Sequence, residues 1–328
     1  AVLLGEIADP QDASVVAQRL LDSLSRPIQL SKHEVFVTPS IGIAVFPRDG
    51  VSPESLLKHA DVAMYQAKQA GKNLYRYFQP EMNQAAMRRL ELDQHLRRAL
   101  ERDEFFLTYQ PKIDSTDGHI DGAEALLRWD SPELGLVSPM EFITVAEESG
   151  LILPIGDWVL RRACRQVREW HQSGLHLPSI SVNISALQFM QANFVGRVRD
   201  ILEDSNLDSS VLDLEITESL LASDAASAVK TLTSLKLLGV ELSIDDFGTG
   251  YSSLGYLKQF PIDRLKIDRS FIHDLVDNMD DSTIVSAILG LAAGMGLQVT
   301  AEGVETEEQA SFLRARGCHQ FQGYLYSP

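Results

Sequence analysis

The chain has only two cysteines in 328 residues, Cys164 and Cys318. They lie far apart and lack the spacing of a metal or redox pair, so no disulfide framework is indicated and a reduced, cytoplasmic setting is expected. Basic residues are also in deficit, with 29 Lys and Arg against 46 Asp and Glu and a net charge of −17. That balance argues against a coat protein for a nucleic-acid polymer, whose footprint is basic. It still allows a small phosphate ester as ligand, if a divalent metal first neutralises local carboxylates. No apolar run nears the ~18 residues that span a bilayer, and no signal-peptide pattern opens the chain. The first residues, AVLLGEI, read as the inside of a strand, so the chain is expected to begin in mid-domain. A membrane tether upstream would be invisible in these residues. None of the eight histidines stands at a strand end with a carboxylate at metal spacing. His319, in the last strand-like run, reads as structural.

Hydrophobic residues at 45% and charged residues at 23% are ordinary for a globular protein. The length suits two domains, or one barrel of about 250 residues with an attachment. Residues 1–80 hold an alternating strand, HEVFVTPSIGIAVFP, and a helical run, PESLLKHADVAMYQAKQAGKN, an α+β fragment rather small for its own core. Residues 81–104 follow as a charged linker or opening helix. From 105 to 328 come eight short strand-like runs: FFLTYQPKID, HIDGAEALLRW, SISVNIS, VLDLEITES, VELSIDDFG, RLKIDRSF, QVTAEGVE and CHQFQGYLYS. Helical patterns ending at glycine separate most of them, such as DWVLRRACRQVREWHQSG and DAASAVKTLTSLKLLG. Alternating strands and helices predict an α/β fold, a (β/α)₈ TIM-type barrel. The turn around STDGH is too short for a crossover helix, so the first strand should be antiparallel to the second.

Period-two alternation separates two faces. Leu212, Leu214 and Ile216 oppose Asp213 and Glu215. Leu242 and Ile244 oppose Ser243 and Asp245, and Leu265 and Ile267 oppose Lys266 and Asp268. Helices packed outside would turn the apolar rows outward and the polar rows into the barrel. A half-exposed antiparallel sheet would give the same alternation with its polar face in water.

Gln110, Glu124, Asn183, Glu215, Asp245, Lys266, Glu302 and Gln322 fall near the ends of these runs, where such barrels build their sites. Inward carboxylates around one axis are expensive unless paired or bound to metal. Lys266 reads as the only nearby inward cation, too little for four or five acids, so one or two divalent ions are expected. The oxygen set Glu124, Asn183, Glu215, Asp245 and Asp246 suits Mg²⁺ or Mn²⁺ better than Zn²⁺. Asp245 and Asp246 could converge where their strand breaks into a turn, each holding one of two ions. Alone, the pair could equally be a solvated acidic turn. Lys266 would stabilise charge on phosphate or hold the nucleophilic water, and Glu302 would accept a proton or add a ligand.

EALLRW, SVNIS, LEITES, DDFGTGYSSL, LKIDRSF, AEGVET and QGY occur in that order. From about Met82 onward the chain therefore resembles the EAL-domain phosphodiesterases, which hydrolyse cyclic di-GMP to linear pGpG. The resemblance implies that Glu124, Asn183, Glu215 and Asp245 hold one metal and Asp246 a second. It implies that Lys266 and Glu302 serve the nucleophilic water and general base, with Asp268 and Glu305 as supporting acids. Gln110 and Arg128 match substrate contacts, Arg128 on phosphate. Pro139, Phe142, Gln322 and Tyr324 match the lining of guanine pockets. DFGTGYSSL matches a loop that couples metal binding to dimerisation, braced by Glu218, which implies a homodimer through the barrel. Gly248 and Gly250 would allow positive φ there. A catalytically inactive cyclic di-GMP sensor is the alternative within the same resemblance.

SIGIAVFP followed by LLKHADVAMYQAKQAGKN resembles the second half of a GGDEF, or diguanylate cyclase, domain. The GGDEF signature itself is absent from these residues, so no cyclase activity is expected here. GTP binding and regulation would need an intact domain. Lys68 and Lys72 match positions near the nucleotide phosphates but read as solvated helix charges.

Overall fold

The computed structural model describes residues 1–5, 7, 9–25, 27–30, 33–35, 37–249 and 254–327. The chain divides into two units, Ala1–Gln94 and His95–Pro328. The helix Glu81–Ala99 runs across that division.

In the first unit, residues 1–5 and 7 have no regular secondary structure, so the strand expected in AVLLGEI does not form among the described residues. The single strand expected in HEVFVTPSIGIAVFP is two pieces. His33–Val35 pairs antiparallel with Ile28–Leu30, and Ile41–Ile43 pairs parallel with Tyr75–Tyr77. Pro39 lies between the pieces, and proline cannot donate to a strand ladder. The helix Pro53–Gln69 links the parallel pair, opened by a capping box of Ser52 with Ser55 and a proline in its first turn. It stops where Gly71, Lys72 and Asn73 take positive φ. Gly42 is required by close approach, because a Cβ there would meet the Ala60 carbonyl oxygen at 1.9 Å.

The second unit is a closed barrel of eight strands. They are β1 (Phe105–Asp114), β2 (Ile120–Ser131), β3 (Ile180–Ile184), β4 (Leu212–Thr217), β5 (Glu241–Phe247), β6 (Arg264–Ile267), β7 (Gln298–Glu302) and β8 (Gln320–Gln322). Strands β2 to β8 run parallel in sequence order. β1 closes the ring antiparallel to both β2 and β8. The tight connection that prevents a crossover is the turn after Asp114, where Gly118 donates its N–H to the Asp114 carbonyl. Helices lie between the later strands. Ile152–Gln172 buries Ile155, Val159, Ala163 and Val167 along one stripe. Ala225–Leu238 ends at Gly239 with φ +92°.

The polar rows point inward. Asp213 of β4 accepts hydrogen bonds from Ser181 of β3 and Ser243 of β5 and lies 3.3 Å from Arg264 of β6. Lys112 of β1 reaches the same group at 3.7 Å. Side chains from five strands can meet only on the axis, which excludes the half-exposed sheet. No described helix is long and apolar enough to cross a membrane.

Candidate active site

The site occupies the rim at the C-terminal ends of the parallel strands. Its centre is Lys266, whose side chain is 1% exposed. Its Nζ lies 2.5 Å from Glu215 Oε2, 2.5 Å from Glu302 Oε1, 3.1 Å from Asp245 Oδ1 and 3.5 Å from Glu124 Oε2. β2, β4, β5 and β7 thus each send one carboxylate to a single ammonium. Asn183 of β3 donates to Glu124 Oε1 at 2.6 Å, and Gln322 of β8 donates to Glu124 Oε2 at 2.7 Å. Gln322 also donates to Gln110 of β1 at 2.8 Å. The eight rim positions expected from strand ends therefore come together.

Lys266 is not the only inward cation. Lys112, also 1% exposed, donates to Glu215 Oε1 at 2.7 Å, and Arg264 lies beside Asp213. Both were readable, because Lys112 shares the parity of Gln110 and Arg264 that of Lys266 on alternating strands. The protein's own cations thus answer Glu215 and Asp213. What remains is a trio at the rim: Asp245, Asp246 and Glu302 each offer an oxygen within 4.8 Å of the others.

The convergence of two sequence neighbours has a backbone cause. The register between β5 and β6 shifts between Ile244 and Phe247, and Asp246 sits at φ +54°. A bulge with one residue in the left-handed region re-aims a side chain that a regular strand would send to the opposite face. Aspartate tolerates that region better than most residues. The Asp246 N–H donates to Asp245 Oδ1 at 3.0 Å, which ties the two acids together.

The electrostatics follow from burial and neighbours. Burial pushes Glu302 up, Lys266 opposes it, and Asp245, Glu124 and Glu215 add to the rise, leaving the group at about 8. Burial, then the charges of Asp245 and Asp268, push Asp246 up to about 6. Burial and then Glu215 raise Glu124 as well. Glu215 is the exception: burial pushes it up, but Lys112 and Lys266 outweigh that and hold it at about 2. Burial would lower Lys266, yet the surrounding carboxylates raise it well above an ordinary lysine.

Other expected residues are placed differently. Phe142 is fully buried, with its ring centroid 5.6 Å from Trp129 and 6.0 Å from Phe105. It belongs to the packing beneath the helix Pro139–Ser149 and offers no face to a guanine, contrary to the lining role expected for it. Pro139 is the first residue of that helix and is partly exposed. Gln322 is buried with both donors engaged by Gln110 and Glu124, so it braces a carboxylate instead of presenting an open donor edge. Tyr324 is exposed. Arg128 donates to the Leu127 carbonyl. Asp268 caps the helix Arg269–His273 through Ser270. Glu305 is exposed on the segment after β7. Glu218 accepts the Gly248 N–H at 3.0 Å, at the start of the expected loop. Gly250 and residues 251–253 of that loop lie outside the described residues. His319 accepts the Val299 N–H at Nδ1, consistent with a structural role.

A parallel barrel with one reversed strand defines a TIM-type barrel, and its lysine-centred rim carries an acidic trio that could hold a metal ion. Residues 93–328 match the EAL domain, and the chain belongs to that family. Residues 1–74 match the GGDEF domain of diguanylate cyclases. Over 324 residues the chain is 48% identical to the bifunctional diguanylate cyclase/cyclic di-GMP phosphodiesterase MucR of Pseudomonas aeruginosa, covering 99% of this chain and 47% of that protein. It is 41% identical over 325 residues to the cyclic di-GMP phosphodiesterase NbdA of the same species, covering 99% of this chain and 42% of NbdA. The chain thus spans less than half the length of these curated relatives. The solved structure of the PaMucR phosphodiesterase in complex with c-di-GMP superposes with a TM-score of 0.71 at 49% identity, over 73% of this chain and 96% of that one.

A pH dependence follows. Folded and metal-free, Glu302 and Asp246 keep protons that the unfolded chain, with ordinary values of 4.5 and 3.8, has already released. The folded state binds more protons between those values and about 8 for Glu302 or about 6 for Asp246, so stability falls as pH rises through that window. Thermal melts in chelator should drop from pH 5 to pH 8, and Mg²⁺ or Mn²⁺ should restore more at pH 8; a flat or rising profile overturns this. Asp246→Asn keeps a side chain that tolerates positive φ and removes repulsion from Asp245 and Asp268. In chelator at pH 8 it should gain roughly 0.5–1 kcal/mol after solvent screening, read from denaturant midpoints.

Proposed function

We propose that this chain is a divalent-metal-dependent phosphodiesterase that opens cyclic di-GMP to linear pGpG. The observation that carries the reading is the rim itself, where Asp245, Asp246 and Glu302 bring oxygens within 4.8 Å of one another beside the buried ammonium of Lys266. The names of MucR and NbdA and the c-di-GMP in the PaMucR structure support the choice of substrate.

The donor set fits hard divalent ions. All candidate donors are carboxylate or amide oxygens, and Glu124, Asp246 and Glu302 are raised first by burial and then by the neighbouring acids, so a divalent charge among them would favour their ionised forms. Glu124, Asn183, Glu215 and Asp245 would hold one ion and Asp246 with Asp245 a second, with Mg²⁺ or Mn²⁺ preferred. Ions held there supply charge for the phosphate oxygens and acidify water near neutral pH. The remaining roles belong to the chain. Glu302 takes the proton of the attacking water, as a carboxylate that divalent charge at the rim would keep ionised. Water adds at one phosphodiester phosphorus, a P–O ester bond breaks, and the ring opens to pGpG. Lys266 offsets the charge that builds on the phosphoryl oxygens. Arg128 meets phosphate, Gln110 the substrate body, and Pro139 and Tyr324 the partly open walls near the bases. Asp268 and Glu305 act as supporting acids. Glu218 steadies the start of the loop after β5, through which the barrel forms a homodimer.

The direct test is chromatography of cyclic di-GMP incubated with the protein, with and without Mg²⁺. Metal-dependent pGpG is expected. Tight binding with no pGpG would assign the chain as a binding module instead. Glu302→Gln should lower kcat by about 10²–10⁴-fold while KM changes little; equal losses in binding and turnover would reject the base role. Glu124→Ala should abolish hydrolysis and weaken metal binding, and survival of turnover would remove Glu124 from the ligand set.

A further inference from the structure

Beneath the rim lies a second buried polar layer that the proposed reaction does not use. Asp213 is 0% exposed and Lys112 1% exposed. Lys112 Nζ donates to Ser181 Oγ at 2.5 Å and to Glu215 Oε1 at 2.7 Å. Ser181 Oγ in turn donates to Asp213 at 2.7 Å, and Ser243 Oγ donates to the same carboxylate at 2.8 Å. Arg264 closes the layer at 3.3 Å from Asp213. Opposite Lys112 in register stands Gly122, which brings no side chain to compete for the space.

The two oxygens of Glu215 therefore have different partners. Oε1 faces down to Lys112, and Oε2 faces Lys266 among the rim acids. A carboxylate gripped by Lys266 alone could rotate about its last torsion, because terminal sp²–sp³ torsions are broad. The second ammonium removes that freedom. Lys112 is itself held by Ser181, which Asp213 orients, so the grip is fixed by the strands and not by solvent.

We propose that Lys112 is a positioning residue: it locks the rotation of Glu215 from beneath, so that Oε2 is presented to the divalent ion at the rim. This rests on the metal-dependent reading above. Outer partners of metal ligands commonly set affinity and activity by 10–100-fold. The antiparallel β1 makes the arrangement available, since it brings a lysine to the axis one layer below Gln110.

The test compares D213N, which keeps Lys112, with K112M/D213N, in which the lysine and one acid are neutralised together so that the net charge of the layer is that of the unsubstituted chain. Arg264 loses its Asp213 partner in both variants, so the comparison isolates Lys112. Circular dichroism and a cooperative melt establish folding of each. Mn²⁺ binding is then measured by calorimetry without substrate, and kcat and KM for cyclic di-GMP hydrolysis are measured separately. The double variant should bind Mn²⁺ about 10–100-fold more weakly than D213N, with kcat reduced in step and KM within about twofold. Mn²⁺ affinities within about twofold of each other would overturn the proposal. If the double variant does not fold, K112R decides by the same readout, since a planar guanidinium keeps the charge but not the single-point grip on Ser181 and Glu215. Failure of the unsubstituted chain to hydrolyse cyclic di-GMP would reject the activity, while the Mn²⁺ comparison would still judge Lys112.

Discussion

The barrel depends on one buried ammonium. Lys266 touches carboxylates from β2, β4, β5 and β7, so it joins half of the ring at a single point. Burying a charge of either sign costs several kcal/mol, and removing one partner from such a cluster leaves the others uncompensated. An apolar plug would fill the same volume more cheaply. That the axis is instead a charged lattice makes the interior poor as a source of stability and well suited as a frame, in which every acid has a defined direction. Stability comes from outside it, where Leu214, Ile216, Leu242 and Ile244 meet the surrounding helices as fully buried residues.

Charge is distributed unevenly along the axis. In the lower layer Asp213 has Arg264, Lys112 and two serine hydroxyls, so its charge is fully answered. In the upper layer Glu215 is answered twice, and the protons are driven onto Glu302, Asp246 and Glu124. A barrel selected only for stability would show no such gradient. Among the described residues the raised acids Glu302, Asp246 and Glu124 gather at the open end of the axis, where a cation arriving from solvent could neutralise them.

Much of this was legible in the sequence, for physical reasons that differ by element. Period-two alternation in LDLEIT and ELSID placed Glu215 and Asp245 on the axis because a closed barrel leaves a polar row nowhere else to go. The short turn at STDGH fixed the reversed strand, since no helix fits there. Lys112 and Arg264 carry the same parity signal, but they lie one layer below the strand ends, where alternation alone does not distinguish a buried cation from a solvated one. Phe142 could not be placed by pattern. Its burial depends on how the helix Pro139–Ser149 packs against Trp129 and Phe105, a tertiary fact with no local signature. In the first unit, HEVFVTPSIGIAVF reads as one strand by its β-branched content, and Pro39 is the residue that marks its division into two strands.

The bulge at Asp246 is the least legible feature and the most informative. Nothing in VELSIDDFG distinguishes a regular strand from one that shifts register after Ile244. A regular strand would have sent Asp246 outward among the helices, where a bare carboxylate would be costly. A left-handed residue at that point turns it back to the mouth, against the repulsion of Asp245 and Asp268. Both the backbone conformation and the like-charge contact work against folding, and they fall on the same residue. Strain of this kind persists where the surrounding structure over-determines it and a function recovers its cost. The break in the ladder and the left-handed Asp246 are what bring two neighbouring aspartates to one side of the mouth, where a regular strand would have separated them.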